Sequence, residues 1–570
     1  MKNLETILSS IAVCSALIVI VLLGTRQMDS FDLGYHLAFG ETFFETGTIV
    51  DYTPFIYTLP SLDTPAVERP EPGPGNWYDN EGRYRFPNTN WLSQLVMFGF
   101  WAFAGITGLN ILQITLLVGI SACLAVAMRR CRISYPLISM ALLLLGVIVN
   151  LRPAMRPELF GYLLISVQFM MLTRLTIHTD ELKVPSWRWV CGMIFVQLLY
   201  VNFHSYFILG LAITGTVLAD YLLNFLKVRF VDKGAPAIIS RDKKAIFRLC
   251  TTLTGMVLAC FINPWGWRLV LLPFQTLLFL KKNNIGGGGL KTHPWSFIAE
   301  LQRPIHANWP ASAKDYILLV IIIFAAAVIL SQLLILLSGM YRHITDKDNV
   351  SASQRRLTVR WAYIFMIAGM MFVGLRVDRN VSIASIIVIP SVVICLNEYM
   401  QYFLAEKIER IRFKLLGLGT VVVVFLSVYA GYQVVNGKIG TARFGFGMNN
   451  MLLPTGAAEW LNKHAAGARV WCDFDSSSTI HFFTMPHKDV PILTNSWAYP
   501  PSVMNTIEHY INMSGGFDYI ADKYKIDAVV LHSGGAMSLI QQLKKSPDWD
   551  MAHYEGKSFL FLRKKSKNIN

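Results

Sequence analysis

The chain has 570 residues, 54% of them hydrophobic and only 15% charged, with a mean hydropathy of +0.44. Soluble domains carry about 25% charged residues, so this composition excludes an ordinary soluble protein and specifies one built for lipid. The formal net charge of +15 does not point to nucleic acid, because the lysines and arginines gather in short segments between apolar runs, where they set topology against anionic lipid.

Eleven apolar runs follow one another along the chain: Ile7–Leu23, Leu109–Met128, Tyr135–Val149, Leu159–Leu172, Val190–Val201, Tyr206–Leu226, Leu249–Ile262, Tyr316–Leu337, Trp361–Val373, Ile383–Leu396 and Leu415–Val434. A helix rising 1.5 Å per residue crosses a hydrocarbon core of roughly 30 Å in about twenty residues, so the runs predict about eleven transmembrane helices. The first ends in LLGTRQ without a small-x-small cleavage site and reads as a retained anchor with a cytoplasmic N-terminus. Alternation then places Arg129–Arg132, Arg174–Arg188, Lys227–Arg248, Arg342–Arg360 and Lys407–Lys414 in the cytoplasm, and each is rich in Lys and Arg, as the positive-inside rule requires.

The expected architecture is a polytopic α-helical membrane domain over 1–435 and a small extracytoplasmic α/β domain over 436–570. Within the first, 25–106 is an external loop with a turn-rich, hairpin-prone middle and an amphiphilic helix, Trp91–Gly105, lying at the interface. Residues 264–314 form a second large external loop, in which the glycine run Gly286–Gly289 suits either a mobile loop or a plain linker. In the last domain, helix-like AAEWLNKHA, SVMNTIEHYI and MSLIQQLKK alternate with β-like ARVWCDF, AVVLH and FLFLRK, which predicts a partly parallel sheet. Seven of the eight cysteines lie in or beside apolar runs, so neither a disulfide framework nor a zinc site is expected.

Every predicted external turn carries ionisable or amide groups: Asp29, Asp32 and His36 after the first run, then Arg152, Arg156 and Glu158, then Asn202 and His204, then Glu300 and Arg303, then Arg376, Asp378 and Arg379. Ionisable groups at the edge of hydrocarbon are costly and usually functional. A carboxylate beside arginines that can clamp a phosphate is the equipment for holding a lipid phosphate and moving what is attached to it. Simpler readings stand beside this one: Asp32 as a helix cap, the arginines as snorkelling residues, and Asp473 and Asp475 in CDFDSSS as a strand-end turn or a metal or sugar site.

DLGYHLAFGETFFETGTIVDYTPFIYT and NTNWLSQLVMFGFWAFAGITGLN, followed in order by RPELFGYLL, VNFHSYFILG, INPWGWRLVLLP, GLRVDRNVSI, WLNKH and ARVWCDFDSSS, resemble the GT-C superfamily of membrane glycosyltransferases, in its bacterial dolichyl-phosphate-mannose-mannosyltransferase-like branch. The resemblance implies an enzyme of the bacterial cytoplasmic (inner) membrane that takes a sugar from a polyprenyl-phosphate-linked donor and passes it to a lipid, glycan or protein acceptor on the external face. It makes Asp32, with Asp29 second, the catalytic acid of the first external loop, and Arg152, Arg156, Arg376 and Arg379 the donor-phosphate ligands. His36, Glu158, His204, Glu300 and Asp378 are supporting residues, and Asp29, Asp32 and His36 are the candidate ligands of a divalent metal that the sequence neither requires nor excludes. Where many relatives carry an acid before the Trp-Leu of the interface helix, this chain has Asn90, so a second acid has to come from Glu158, Glu300 or Asp378. The competing expectations are a transporter or flippase of lipid-linked sugars and a non-catalytic scaffold.

Overall fold

The computed structural model describes residues 2–152, 155–176, 182–230, 236–286, 293–305, 309–310, 312–345, 359–403, 405–438, 443–512 and 516–564. After α1 (Lys2–Gly24) and the short α2 (Leu33–Thr46), a hairpin of β1 (Trp77–Tyr78) and β2 (Tyr84–Arg85) leads into the long α3 (Trp91–Arg130). The bundle continues with α4 (Tyr135–Asn150), α5 (Glu158–Thr176), α6 (Trp187–Phe203), α7 (Phe207–Phe230) and α8 (Pro236–Ala259). A further helix, α9 (Trp267–Lys282), lies between α8 and α10 (Ala313–Thr345), and α11 (Trp361–Arg376), α12 (Val381–Phe403) and α13 (Ala405–Val435) complete the set. The eleven apolar runs fall on α1, α3–α8 and α10–α13. Among the described residues seven helices are long and apolar enough to cross a membrane, and α4 and α11 are shorter apolar helices. The chain is an integral membrane protein.

The helix expected at the interface is the first part of α3. Ala104 and Gly105 leave helical geometry, with Gly105 at φ 57°, a left-handed conformation open to glycine at little cost. Before the break Phe103 is 90% exposed; beyond it Leu109, Leu116 and Leu124 enter the core. The chain thus turns from lying on the bundle to running through it.

The C-terminal domain contains α14 (Thr455–His464), β3 (Val470–Cys472), α15 (Phe474–Phe483), α16 (Pro501–Asn512), α17 (Phe517–Tyr524), β4 (Ala528–His532), α18 (Met537–Lys545), β5 (Trp549–Glu555) and β6 (Ser558–Arg563). Its sheet runs β3-β4-β6-β5, with β3 and β4 parallel and the other pairs antiparallel. The partly parallel sheet agrees with the pattern in the sequence; β5, WDMAHYE, escaped it because its residues face solvent for most of its length. The hydrophobic core of this domain is shared. Tyr35, Phe39, Ile56 and Phe86, between α1 and α3, and Trp295, between α9 and α10, pack with Trp471, Val490 and Tyr499. At the closest point Gly34 of α2 lies against the backbone of α15: a Cβ there would sit 1.9 Å from the Ser478 carbonyl oxygen. Only glycine permits that approach.

Candidate functional site

The site is built where α1 gives way to α2. Past Gly24 the chain runs extended beside the segment that follows α13, with Gln27 N donating to Arg443 O (2.8 Å) and Met28 N to Gly447 O (2.8 Å). Arg26 is buried there, and Asp29, itself 3% exposed, is its counter-ion. The same guanidinium donates to Asn150 O (2.7 Å), Asn150 Oδ1 (3.0 Å) and Arg152 O (2.9 Å), so it fixes the end of α4 and the turn that carries the next arginines. Asp29 therefore braces the frame from inside and does not line the opening.

Asp32 stands at the N-cap position of α2, yet its carboxylate makes no hydrogen bond to the helix backbone. It accepts instead from Arg156. The Arg156 fork is fully used: Nη2 to Asp32, Nη1 to Glu300 Oε1 (2.7 Å) and Nε to Ser30 Oγ (3.2 Å). Arg152 chelates Glu158 through Nη2 (3.0 and 3.1 Å) and extends the same Nη2 to Glu300 Oε2 (3.1 Å). Glu300 thus offers one oxygen to each arginine and joins two ion pairs into one network. Side-chain exposure falls from 31% at Glu300 and 21% at Asp32 to 10–13% at Arg152, Arg156 and Glu158, so the carboxylates of Glu300 and Asp32 form the solvent-accessible opening of the network and the arginines are more buried.

Burial raises the Asp32 carboxyl above its ordinary value, against the pull of Arg156, while the neighbouring Glu300 and Glu158 charges push it further up. Burial also acts to raise Glu300, but Arg156 and Arg152 outweigh it and hold that carboxyl down at about 2. Asp32 is thus the more basic of the two carboxylates at the opening.

The remaining predicted residues divide by location. Arg379 acts electrostatically on Glu300, His204 and Tyr206, and its buried Nε–H meets no acceptor among the described residues. Asp378 is paired with Lys314, and its N–H donates to Gln302 O (2.8 Å), which anchors the turn carrying Glu300. Arg376 stands apart, exposed at the end of α11 with its guanidinium 4.8 Å from the Phe372 ring centroid. Because a helix turn separates it from Arg379, the two do not form the pair that their sequence neighbourhood suggests. His204 Nδ1 accepts from Tyr206 N (3.2 Å), and burial pushes the ring down to about 4, so it is neutral. His36 is likewise buried and neutral, its Nδ1 3.1 Å from Gln94 Nε2. Asp29, Asp32 and His36 do not converge, since Asp29 turns to Arg26 and His36 to Gln94, and among the described residues no three or more His, Cys, Asp or Glu side chains gather to hold a metal ion. The candidate metal set does not fit this geometry. Of the glycine run, Gly286 has φ 77°, and Gly287–Gly289 lie outside the described residues.

The sequence reading missed what the C-terminal domain brings. Asp473 caps α15, with Oδ1 accepting from Ser476 N (3.1 Å) and Oδ2 from His532 N (2.9 Å). Asp475 leaves that cap and lies close enough to Asp32 to feel its charge. Thr494 places its hydroxyl 3.3 Å from Phe31 O and within hydrogen-bonding reach of Asp32. The DFD pattern was visible; its apposition to a residue more than four hundred positions earlier was not.

This architecture shares its fold with a solved membrane oligosaccharyltransferase. The apo crystal structure of the Archaeoglobus fulgidus oligosaccharyltransferase aligns with a TM-score of 0.52 at 12% identity, covering 92% of this chain and 69% of the other. The same protein tethered through a disulfide bond to an acceptor peptide containing the NVT sequon gives 0.53 at 11%, covering 97% and 74%. ArnT from Cupriavidus metallidurans in the apo state aligns over 98% of each chain at 12% identity, with a TM-score of 0.43. No protein-family model and no curated protein matches the sequence.

Proposed function

We propose that the protein is a glycosyltransferase that moves a sugar from a polyprenyl-phosphate-linked donor to a lipid, glycan or protein acceptor on the extracytoplasmic face of the membrane. The observation that carries this reading is the bridge of Glu300 across Arg152 and Arg156, immediately beside Asp32. Two oxygens of one anion held by two guanidiniums is how arginines bind phosphate. The donor phosphate takes that position, with Arg379 adding a third positive charge. Glu158 keeps Arg152 oriented from behind. Asp32 faces the anomeric carbon's other substituent, the acceptor, and removes its proton as the new bond forms. The bond from the anomeric carbon to the phosphate oxygen breaks, and its electron pair leaves with the phosphate, whose charge the arginines stabilise.

Location supports the assignment of faces. Arg130 and Arg412, both in segments predicted as cytoplasmic, lie at one end of the bundle, where Arg130 donates to Met170 O (2.6 Å) and Arg412 of α13 meets Glu5 of α1 (2.6 Å). The arginine–carboxylate network lies at the other end, under the C-terminal domain.

The test is mass spectrometry of membrane lipids and surface glycans from cells lacking the protein, complemented with the native chain or with Asp32→Asn. The expected result is accumulation of a polyprenyl-linked sugar and loss of one sugar from a surface glycan, both reversed only by the native chain. Full complementation by Asp32→Asn at matched expression would remove Asp32 as the base.

A further inference from the structure

The ends of α3, α5 and α6 farthest from the arginine–carboxylate network enclose a feature that the proposed reaction does not use. Glu158 of the network opens α5, and Arg174 lies in the last turn of the same helix. At 1.5 Å per residue the two stand about 24 Å apart along the axis, most of the depth of a hydrocarbon core. Around Arg174 is a cavity of about 700 Å³, lined by Arg130 at the end of α3, by Met171 and Arg174 of α5, and by Trp187, Arg188 and Trp189 at the start of α6. Sites for small ligands run to about 300–1,000 Å³.

The walls are fixed. Trp189 is buried, with its backbone N–H donating to Ser186 Oγ (3.2 Å) and its Nε1–H to Met171 O (3.2 Å), which ties the first turn of α6 to α5. Arg248 of α8 donates to Pro185 O and lays its guanidinium over the Trp187 ring, 5.1 Å from the centroid. Arg130 spends one nitrogen on Met170 O (2.6 Å). The other two arginines are not so occupied: among the described residues Arg174 and Arg188 meet no hydrogen-bonding or ionic partner, both are exposed, and no carboxylate lines the cavity. Arg188 also stands in the first turn of α6, where the helix dipole disfavours a cation. Three guanidiniums around one cavity repel each other until an anion sits among them, and the guanidinium fork matches the oxygens of a phosphate.

The level of the cavity selects the anion. It opens where the apolar stretches of α3 and α5 end and that of α6 begins, with Trp187 50% exposed at its rim, as a tryptophan at a membrane–water interface is. Basic pockets between spans at that level hold the head groups of anionic lipids. We propose that this cavity binds the phosphate head group of an anionic phospholipid, held by Arg130, Arg174 and Arg188, with Trp187 against the lipid at the rim. The site is separate from the donor-phosphate position and belongs to the opposite head-group layer. The bound lipid ties together the far ends of three helices, one of which carries Glu158 at its other end.

The test titrates purified full-length protein in neutral detergent with phosphatidylglycerol or phosphatidylcholine and counts lipids retained per chain by native mass spectrometry. A saturable phosphatidylglycerol site that phosphatidylcholine does not fill is expected. Each arginine near a membrane surface contributes roughly fivefold, so Arg174→Gln with Arg188→Gln is expected to weaken the site roughly 30-fold and each single variant roughly fivefold. Melting temperatures in lipid-free detergent are expected to stay near native, because both side chains are exposed. Lys243→Gln with Lys244→Gln removes the same charge from exposed positions of α8 and is expected to leave the site near native strength. Equal weakening by the two double variants, or phosphatidylcholine held as tightly as phosphatidylglycerol, overturns the proposal, since the arginines then act only through general surface charge. Inorganic phosphate in large excess is expected to leave the bound lipid in place; its displacing the lipid would assign the cavity to free phosphate and overturn the lipid assignment.

Discussion

Replacing Arg156 by lysine keeps the charge and discards the fork. In the native chain three nitrogens of one guanidinium reach three different partners, Asp32, Glu300 and Ser30, all from a side chain only 11% exposed. A lysine ammonium at the end of a flexible stem satisfies one carboxylate well and leaves the second at a distance. Hydrogen bonds to charged groups contribute about 1.5–3 kcal/mol each. Losing one such bond together with the Ser30 contact therefore costs about 3 kcal/mol of phosphate and transition-state stabilisation, which is a factor of ~10² in rate. Steady-state consumption of undecaprenyl-phosphate hexoses by the purified chain, with kcat and KM resolved, is the assay. Expected is a fall of about that size, mainly in kcat, with a melting temperature near native because the charge balance of the network is kept. An Arg156→Lys enzyme within about threefold of native would refute the reasoning, since an exposed or merely snorkelling arginine is the kind that lysine replaces without loss.

The two acids between α1 and α2 separate by what they do. Asp29→Asn leaves the Arg26 guanidinium without its buried counter-ion and is expected to cost about 3–5 kcal/mol, read as lost folded yield on size-exclusion chromatography. Asp32→Asn is expected to purify normally and lose turnover. Gly34→Ala drives a methyl group into the Ser478 carbonyl and is expected to destabilise by about 1–3 kcal/mol; an unchanged melting temperature would show that α2 and α15 can part freely. His204, His481 and His532 are buried and held neutral at about 4, whereas unfolded histidine binds a proton near about 6.5. Between those values the unfolded chain carries more protons, so stability falls as pH drops from about 6.5 towards about 4. A thermal melt series across that range checks this, and His532→Gln is expected to flatten the slope.

The helices and the class of fold were legible because lipid imposes a coarse code: a span must be apolar and long, and the loops on one side must be basic. The apolar runs therefore land on helices, and the helical break at Ala104 and Gly105 falls where the amphiphilic segment was expected to end. The site was legible only in part. Asp32, Arg152, Arg156, Glu158 and Glu300 meet because each follows or precedes a span at the same end of the bundle, which alternation exposes. Asp29 and Arg376 share that level but point elsewhere, one into the frame and the other along the helix surface. Depth can be read from sequence; direction cannot. Helix α9 went unread because Pro273 interrupts its apolar stretch, and Asp475 because apposition between distant segments leaves no periodicity to find.

The segment bearing Asp29 and Asp32 runs beside residues 443–449, beyond the last span, and its neighbour α15 comes later still. The arginine–carboxylate network is therefore walled by segments far apart in the chain. While the chain is entering the membrane, the arginines and their carboxylates already exist, but the wall that holds Phe31 and Asp32 has not yet been translated. The network therefore acquires its last wall only when residues 443–494 come to lie beside residues 26–32.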